Sequence, residues 1–109
     1  MPKISVLMPI WNTSIAYLKS AIESVLNQTF TDFEFIILND SPNNKALAAF
    51  VSTFNDKRIK YVENTHTLGV AASYNRLVAM ASAEYIAMMN HDDISLPERL
   101  QRQYDYLQS

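Results

Sequence analysis

The sequence predicts a doubly wound, three-layer α/β/α domain with a mostly parallel sheet. Three observations carry that prediction. Hydrophobic periodicity switches four times between a period of two and one of 3.6 residues. Each strand-like run is followed by a helical stripe, as in βαβ units. Right-handed crossovers between such units then make 3-2-1-4 the expected strand order. A ligand in such a sheet binds outside the carboxyl ends of the strands, at the switch point between strands one and four.

The elements follow in order. "KISVLMP" (Lys3 to Pro9) reads as a first strand buried on both faces. In "IAYLKSAIESVLNQ", Ile15, Leu18, Ile22, Val25 and Leu26 form one helical stripe, with Thr13 or Ser14 as the cap. "FEFIIL" (Phe33 to Leu38) is nearly continuously apolar, as buried parallel strands are. Leu47, Phe50, Val51 and Phe54 mark a short second helix, and "RIKYVE" (Arg58 to Glu63) alternates like a strand nearer an edge. Val70, Tyr74, Leu77, Val78 and Ala81 mark the third helix, and "EYIAMM" (Glu84 to Met89) the fourth strand. Leu100, Tyr104 and Leu107 stripe a last helix, opened by Ser95 and Glu98 in capping-box spacing with Pro97 in the first turn. Met8, Met80, Met88 and Met89 read as core filler.

Composition narrows the function classes. The chain has 109 residues, 49% of them hydrophobic and 18% charged, which suits one globular domain over 1–109. A net charge of −2 without a long Lys/Arg run offers nothing to nucleic acid or an anionic membrane. With no cysteine there is no disulfide framework and no thiolate site, so a metal has to be held by oxygen or histidine. No apolar run approaches the ~18 residues of a membrane span. The stretch "MPKISVLMPIWN" is too short and too β-branched for a signal peptide, which leaves a cytoplasmic protein as the expectation.

Three strand ends carry the informative polar residues. Trp11 and Asn12 follow the first strand, Asn39, Asp40 and Ser41 the second, and Asn90, His91, Asp92 and Asp93 the fourth. Two carboxylates about 6 Å apart repel by roughly 3 kcal/mol at an effective dielectric near 20, so Asp92 and Asp93 together ask for compensation. Each residue also has a plainer role. Asp40 and Ser41 could start a turn into "SPNN", Asp92 and Asp93 could serve a turn and a helix N-terminus, and Trp11 could be core. His66 and His91 read as loop residues. The functional alternative is a metal–nucleotide site. Adjacent carboxylates suit Mg²⁺ or Mn²⁺, which complete their shell with water and substrate phosphates. Asp40 could accept from a base N–H, and Trp11 could stack on that base. The single glycine, Gly69, excludes both a Walker loop and a G-x-G-x-x-G turn, and with them P-loop enzymes, kinases and NAD-binding proteins.

These residues resemble glycosyltransferase family 2, whose members are inverting enzymes of the GT-A type. "PKISVLMPIWN" is similar to the family's first strand, followed by proline, a variable residue, an aromatic and asparagine. "AIESVLNQTFTDFEFIILND" from Ala21 resembles its first helix, Q-T-F turn and acid-ended second strand. "AEYIAMMNHDDISLPERLQRQ" resembles its G-E-Y-I strand, D-x-D-D motif and proline-led helix. The resemblance implies a Rossmann-like GT-A sheet and a site in which Pro9, Trp11, Asn12, Asp40 and Asp92 hold the nucleotide. Asp93, with Asp92, would hold the metal. Several positions depart from the pattern. Asn90 replaces the motif's first aspartate, Asn39 the first acid of the usual pair, Tyr74 a frequent arginine, and Ala83 a glycine.

The implied activity is transfer of a sugar from a nucleotide-diphosphate donor, UDP-sugar foremost, to a hydroxyl of a glycan or lipid-linked acceptor. It belongs to polysaccharide or glycoconjugate synthesis, in the cytoplasm or at the inner face of the membrane, and a homodimer is compatible with it. The family's catalytic base lies beyond the metal motif. The expectation is therefore a piece of a longer catalytic domain that binds nucleotide, contains no catalytic residue of its own and is inactive alone. The rivals are a non-catalytic nucleotide-binding or interaction module, and a phosphohydrolase using the same acid pair with His91.

Overall fold

The structure, a computed structural model, describes residues 2–89 and 95–108. Eight elements alternate strictly: β1 (Ile4–Ile10), α1 (Ile15–Leu26), β2 (Phe33–Asn39), α2 (Lys45–Ser52), β3 (Ile59–Glu63), α3 (Val70–Met80), β4 (Tyr85–Met88) and α4 (Arg99–Gln108). The four strands are all parallel in the order β3-β2-β1-β4, the predicted topology. β1 sits between β2 and β4, with Ile4 in register with Phe33 on one side and Tyr85 on the other.

The period of two along β1 divides the core. Ile4, Val6, Met8 and Ile10 pack with Leu18, Ile22 and Val25 of α1, Leu47 and Val51 of α2, and Leu100 of α4. On the other face Leu7 joins Ile36, Leu38 and Leu77 of α3. Crossover handedness accounts for this. α1 and α2 lead the chain outward from β1 to β3, whereas α3 leads it back to β4, so right-handed connections place α3 on the opposite face.

Three local readings change. In α3 the buried residues are Ser73 and Leu77, whereas Val70 and Val78 are 70% and 42% exposed. Val70 is the helix's first residue, directly after the Gly69 cap. Met88 is 45% exposed rather than core, because it points with Ile86 to the α3 face at the margin of the sheet. The Ser95–Glu98 capping box does not form. α4 begins at Arg99, and the Ser95 hydroxyl donates to Met89 Sδ and accepts from Arg99 Nη1 instead.

The capping role falls to Gln28, just past α1. Its Oε1 accepts from Leu100 N–H at 2.9 Å, while its Nε2 donates to the carbonyls of Leu96 at 2.7 Å and Ser24 at 2.9 Å. This amide, 4% exposed, thus joins the end of one helix to the start of another. Gln28→Ala strips the partner from the buried Leu100 N–H, worth about 1–3 kcal/mol, and from the more accessible Leu96 and Ser24 carbonyls. With partial relief by water we expect a loss of about 2 kcal/mol, read as a lower urea midpoint at unchanged slope.

β2 is fully buried along its length and yet contains Glu34, at 3% exposure. Its carboxylate accepts from Ser5 Oγ at 2.5 Å, Lys60 Nζ at 2.6 Å, and the N–H and hydroxyl of Ser82 at 2.7 and 2.9 Å. Burial alone would raise its pKa from 4.5. The hydrogen bonds from Lys60, Ser5 and Ser82 outweigh burial and hold it at about 2.

Candidate functional site

At the carboxyl end of β1 the chain turns sharply. Asn12 has φ +45°, a left-handed conformation that asparagine tolerates better than most residues. Its N–H donates to Ser41 Oγ at 3.1 Å, and its Oδ1 accepts from Asn44 Nδ2 at 3.0 Å. The end of β1 is thereby tied to the loop after β2. Trp11, 56% exposed, is left on the surface, which excludes the core role for it.

The loop after β2 is a built turn. Asn39 Oδ1 accepts from Ser41 N–H at 2.9 Å, an Asx turn, and from Ser41 Oγ. Asn39 Nδ2 also donates to the Tyr61 hydroxyl at 3.1 Å, which in turn donates to Glu63 Oε2 at 2.8 Å. A carboxylate at position 39 could accept but not donate, so the amide at this departure from the family pattern has a structural use. It is Asn39, rather than Asp40, that starts the turn.

Asp40 is 4% exposed and carries a heavier load than the sequence indicates. Oδ1 accepts from Asn64 Nδ2 at 2.7 Å and Leu68 N–H at 2.8 Å, and Oδ2 accepts from Gly69 N–H at 2.9 Å. Its carbonyl takes the Thr67 hydroxyl at 2.9 Å. Burial works against the charge, but the donors at Leu68, Asn64, Gly69 and Ser73 hold the carboxyl below its ordinary 3.8. Gly69 itself has φ +94°, a conformation glycine adopts freely, and this geometry turns its N–H to Asp40 and starts α3.

Trp11, Asn12, Ser41, Asn44, Lys45 and Thr67 are among the residues lining a cleft of about 490 Å³ over this turn. That volume is within the range of small-molecule sites. The structure thus brings Trp11 and Asn12 to one cleft; Asp40 does not line it but is joined to it by the bond from the lining Thr67 hydroxyl to its carbonyl. Pro9 lies inside β1, half-buried and in register with Leu38, rather than on the cleft wall. Asp92 and Asp93, the proposed metal pair, lie outside the described residues, as do Asn90 and His91. Among the described residues no group of three His, Cys, Asp or Glu could hold a metal. No described helix is long and apolar enough to cross a membrane.

Asn64, Thr67 and the Leu68–Gly69 amides hold Asp40 and were not singled out from the sequence. Glu63 ends β3 and Asn64 follows it, so the end of β3 also carried an acid and an amide. That was the available signal.

Residues 5–109 match the family model described as Glycosyl transferase family 2. An uncharacterized glycosyltransferase of Methanocaldococcus jannaschii is 44% identical over 110 residues, covering 99% of this chain and 38% of that protein. Among solved structures, S. aureus TarS 1-349 in complex with UDP-GlcNAc has a TM-score of 0.86 at 21% identity, over 97% of this chain and 31% of that one. Mannosyltransferase PcManGT from Pyrobaculum calidifontis, in complex with GDP-Man and Mn²⁺, has a TM-score of 0.73 at 19% identity, over 85% and 28%. At such identities the two structures bear on the fold alone. The chain spans little more than a third of the length of the archaeal relative.

Proposed function

The chain belongs to glycosyl transferase family 2 and has the GT-A fold, and from that premise we propose that it is the nucleotide-sugar-binding part of an inverting sugar transferase. The donor is a UDP-sugar and the acceptor a hydroxyl of a glycan or lipid-linked glycan, in polysaccharide or glycoconjugate synthesis. One observation carries the reading. A cleft fronted by an exposed tryptophan opens at the carboxyl ends of β1 and β2, against an aspartate held charged by its neighbours.

The roles follow from chemistry. Trp11 offers an aromatic face for the base. An ionised Asp40 only accepts hydrogen bonds, so it pairs with a base presenting a ring N–H. Uracil and guanine have one, and the complexes of TarS with UDP-GlcNAc and of PcManGT with GDP-Man contain those two bases. Asp92 and Asp93 are hard oxygen donors that fit Mg²⁺ or Mn²⁺, and the ion, when bound, stabilises charge on the departing diphosphate. No residue of 1–109 is assigned as the base that deprotonates the acceptor. Residues 1–109 therefore bind nucleotide without transferring sugar.

Calorimetric titration of UDP with and without Mn²⁺ tests the proposal. We expect Mn²⁺ to tighten UDP binding at least tenfold and Asp93→Ala to abolish that gain while leaving the melting temperature within a degree or two. Indifference of the wild-type chain to both UDP and Mn²⁺ would favour an interaction module instead.

A further inference from the structure

Behind the cleft, Asn64 is 1% exposed and uses both ends of its amide. Oδ1 accepts from Arg76 Nη1 at 2.5 Å, and Nδ2 donates to Asp40 Oδ1 at 2.7 Å and Ser73 Oγ at 3.2 Å. Arg76 Nη1 also donates to the Glu63 carbonyl at 3.0 Å, which fixes the guanidinium at the end of β3. A guanidinium only donates and a carboxylate only accepts. The amide between them therefore has one satisfying orientation. Flipped, it would set NH₂ against the guanidinium and oxygen against Asp40.

We propose that Arg76 and Asn64 form a positioning relay for base recognition, in which Arg76 locks the Asn64 amide and Asn64 aims the Asp40 carboxylate. This rests on the reading of Asp40 as the base acceptor. The other charged or titratable groups on the surrounding elements are engaged or placed elsewhere. Glu63 takes the Tyr61 hydroxyl, His66 Nδ1 pairs with Thr65 Oγ1, and Lys45 lines the cleft from the start of α2. Among the described residues, Arg76 is the cation joined to Asp40 by a chain of hydrogen bonds. Its side chain is on the exposed side of α3, so its removal leaves the core intact.

The relay makes a prediction that simple packing does not. In ¹³C-labelled protein without nucleotide, the Asp40 carboxyl resonance is followed against pH in wild type, Arg76→Ala and Arg76→Lys. Removing the guanidinium is expected to raise the Asp40 midpoint by about half a pH unit or more, and lysine to restore part of the shift. At pH 7, at a temperature where both proteins are fully folded, the Kd for UDP is expected to rise about three- to tenfold in Arg76→Ala. An unshifted midpoint overturns the relay, since the amides of Leu68 and Gly69 would then suffice. A shifted midpoint with unchanged UDP affinity overturns its role in recognition. If Asp40→Asn also leaves UDP affinity unchanged, the base-acceptor reading itself has failed, while the tether between Arg76 and Asp40 stands.

Discussion

Replacing Asp40 with alanine is expected to lower folding stability by about 3 kcal/mol and to abolish UDP binding. The carboxylate satisfies the backbone N–H groups of Leu68 and Gly69 and the buried amide of Asn64. Orphaning a buried donor costs about 1–3 kcal/mol, and water entering the loop would relieve the two backbone groups in part. The damage should be local. Leu68 and Gly69 lose their attachment to the end of β2, while the Asn64 N–H keeps its bond to the Asn39 carbonyl and Thr67 its bond to the Asp40 carbonyl. Urea denaturation gives the magnitude, and hydrogen exchange gives the place: the Leu68 and Gly69 amides should lose protection while those of β1 keep it. Unchanged protection at both amides would contradict the contacts described.

The second large effect is acid sensitivity centred on Glu34. Its folded pKa of about 2 lies below its ordinary 4.5, so the stabilisation is complete above pH 4.5 and is lost as pH falls toward 2. At about 1.4 kcal/mol per factor of ten, that gap corresponds to about 3 kcal/mol. The carboxylate side chain is 4% exposed, but its Lys60 partner is 55% exposed, so the lysine's share is screened by salt. Glu34→Gln should therefore lower the urea midpoint strongly at pH 7 and much less at pH 3. A gap of equal size at both values would mean that charge is not what Glu34 contributes. In 1 M NaCl the gap should shrink only in part, since Ser5 and Ser82 are neutral donors.

The fold was legible because it rests on local periodicity. Apolar positions such as Val6, Met8, Ile22, Val25 and Leu77 repeat at spacings that betray their element, and crossover handedness then orders the strands. What stayed hidden was made by side chains that meet across distant parts of the chain. Nothing near Glu34 announces that Ser82 will donate to it from 48 residues away. Gln28 caps a helix that starts 71 residues later, so the nearer Ser95 was the natural choice for that role. Asp40 follows the second strand as expected, but its donors lie at positions 64, 68, 69 and 73, beyond the reach of any turn rule. Long-range polar contacts leave no period to read.

β4 pairs only with β1 among the described residues, and its sequence YIAM has neither charge nor proline. Ile86 and Met88 are 42% and 45% exposed, and on the outer side Arg99 takes the Met88 carbonyl at 2.9 Å. Natural sheets usually blunt a free margin with lysine, proline or a bulge, because an undefended one is a template for another strand. This margin has almost none of those defences. Such a margin is expected to act as a seam, and the colloidal fate of the polypeptide in concentrated solution turns on whether something is stitched to it.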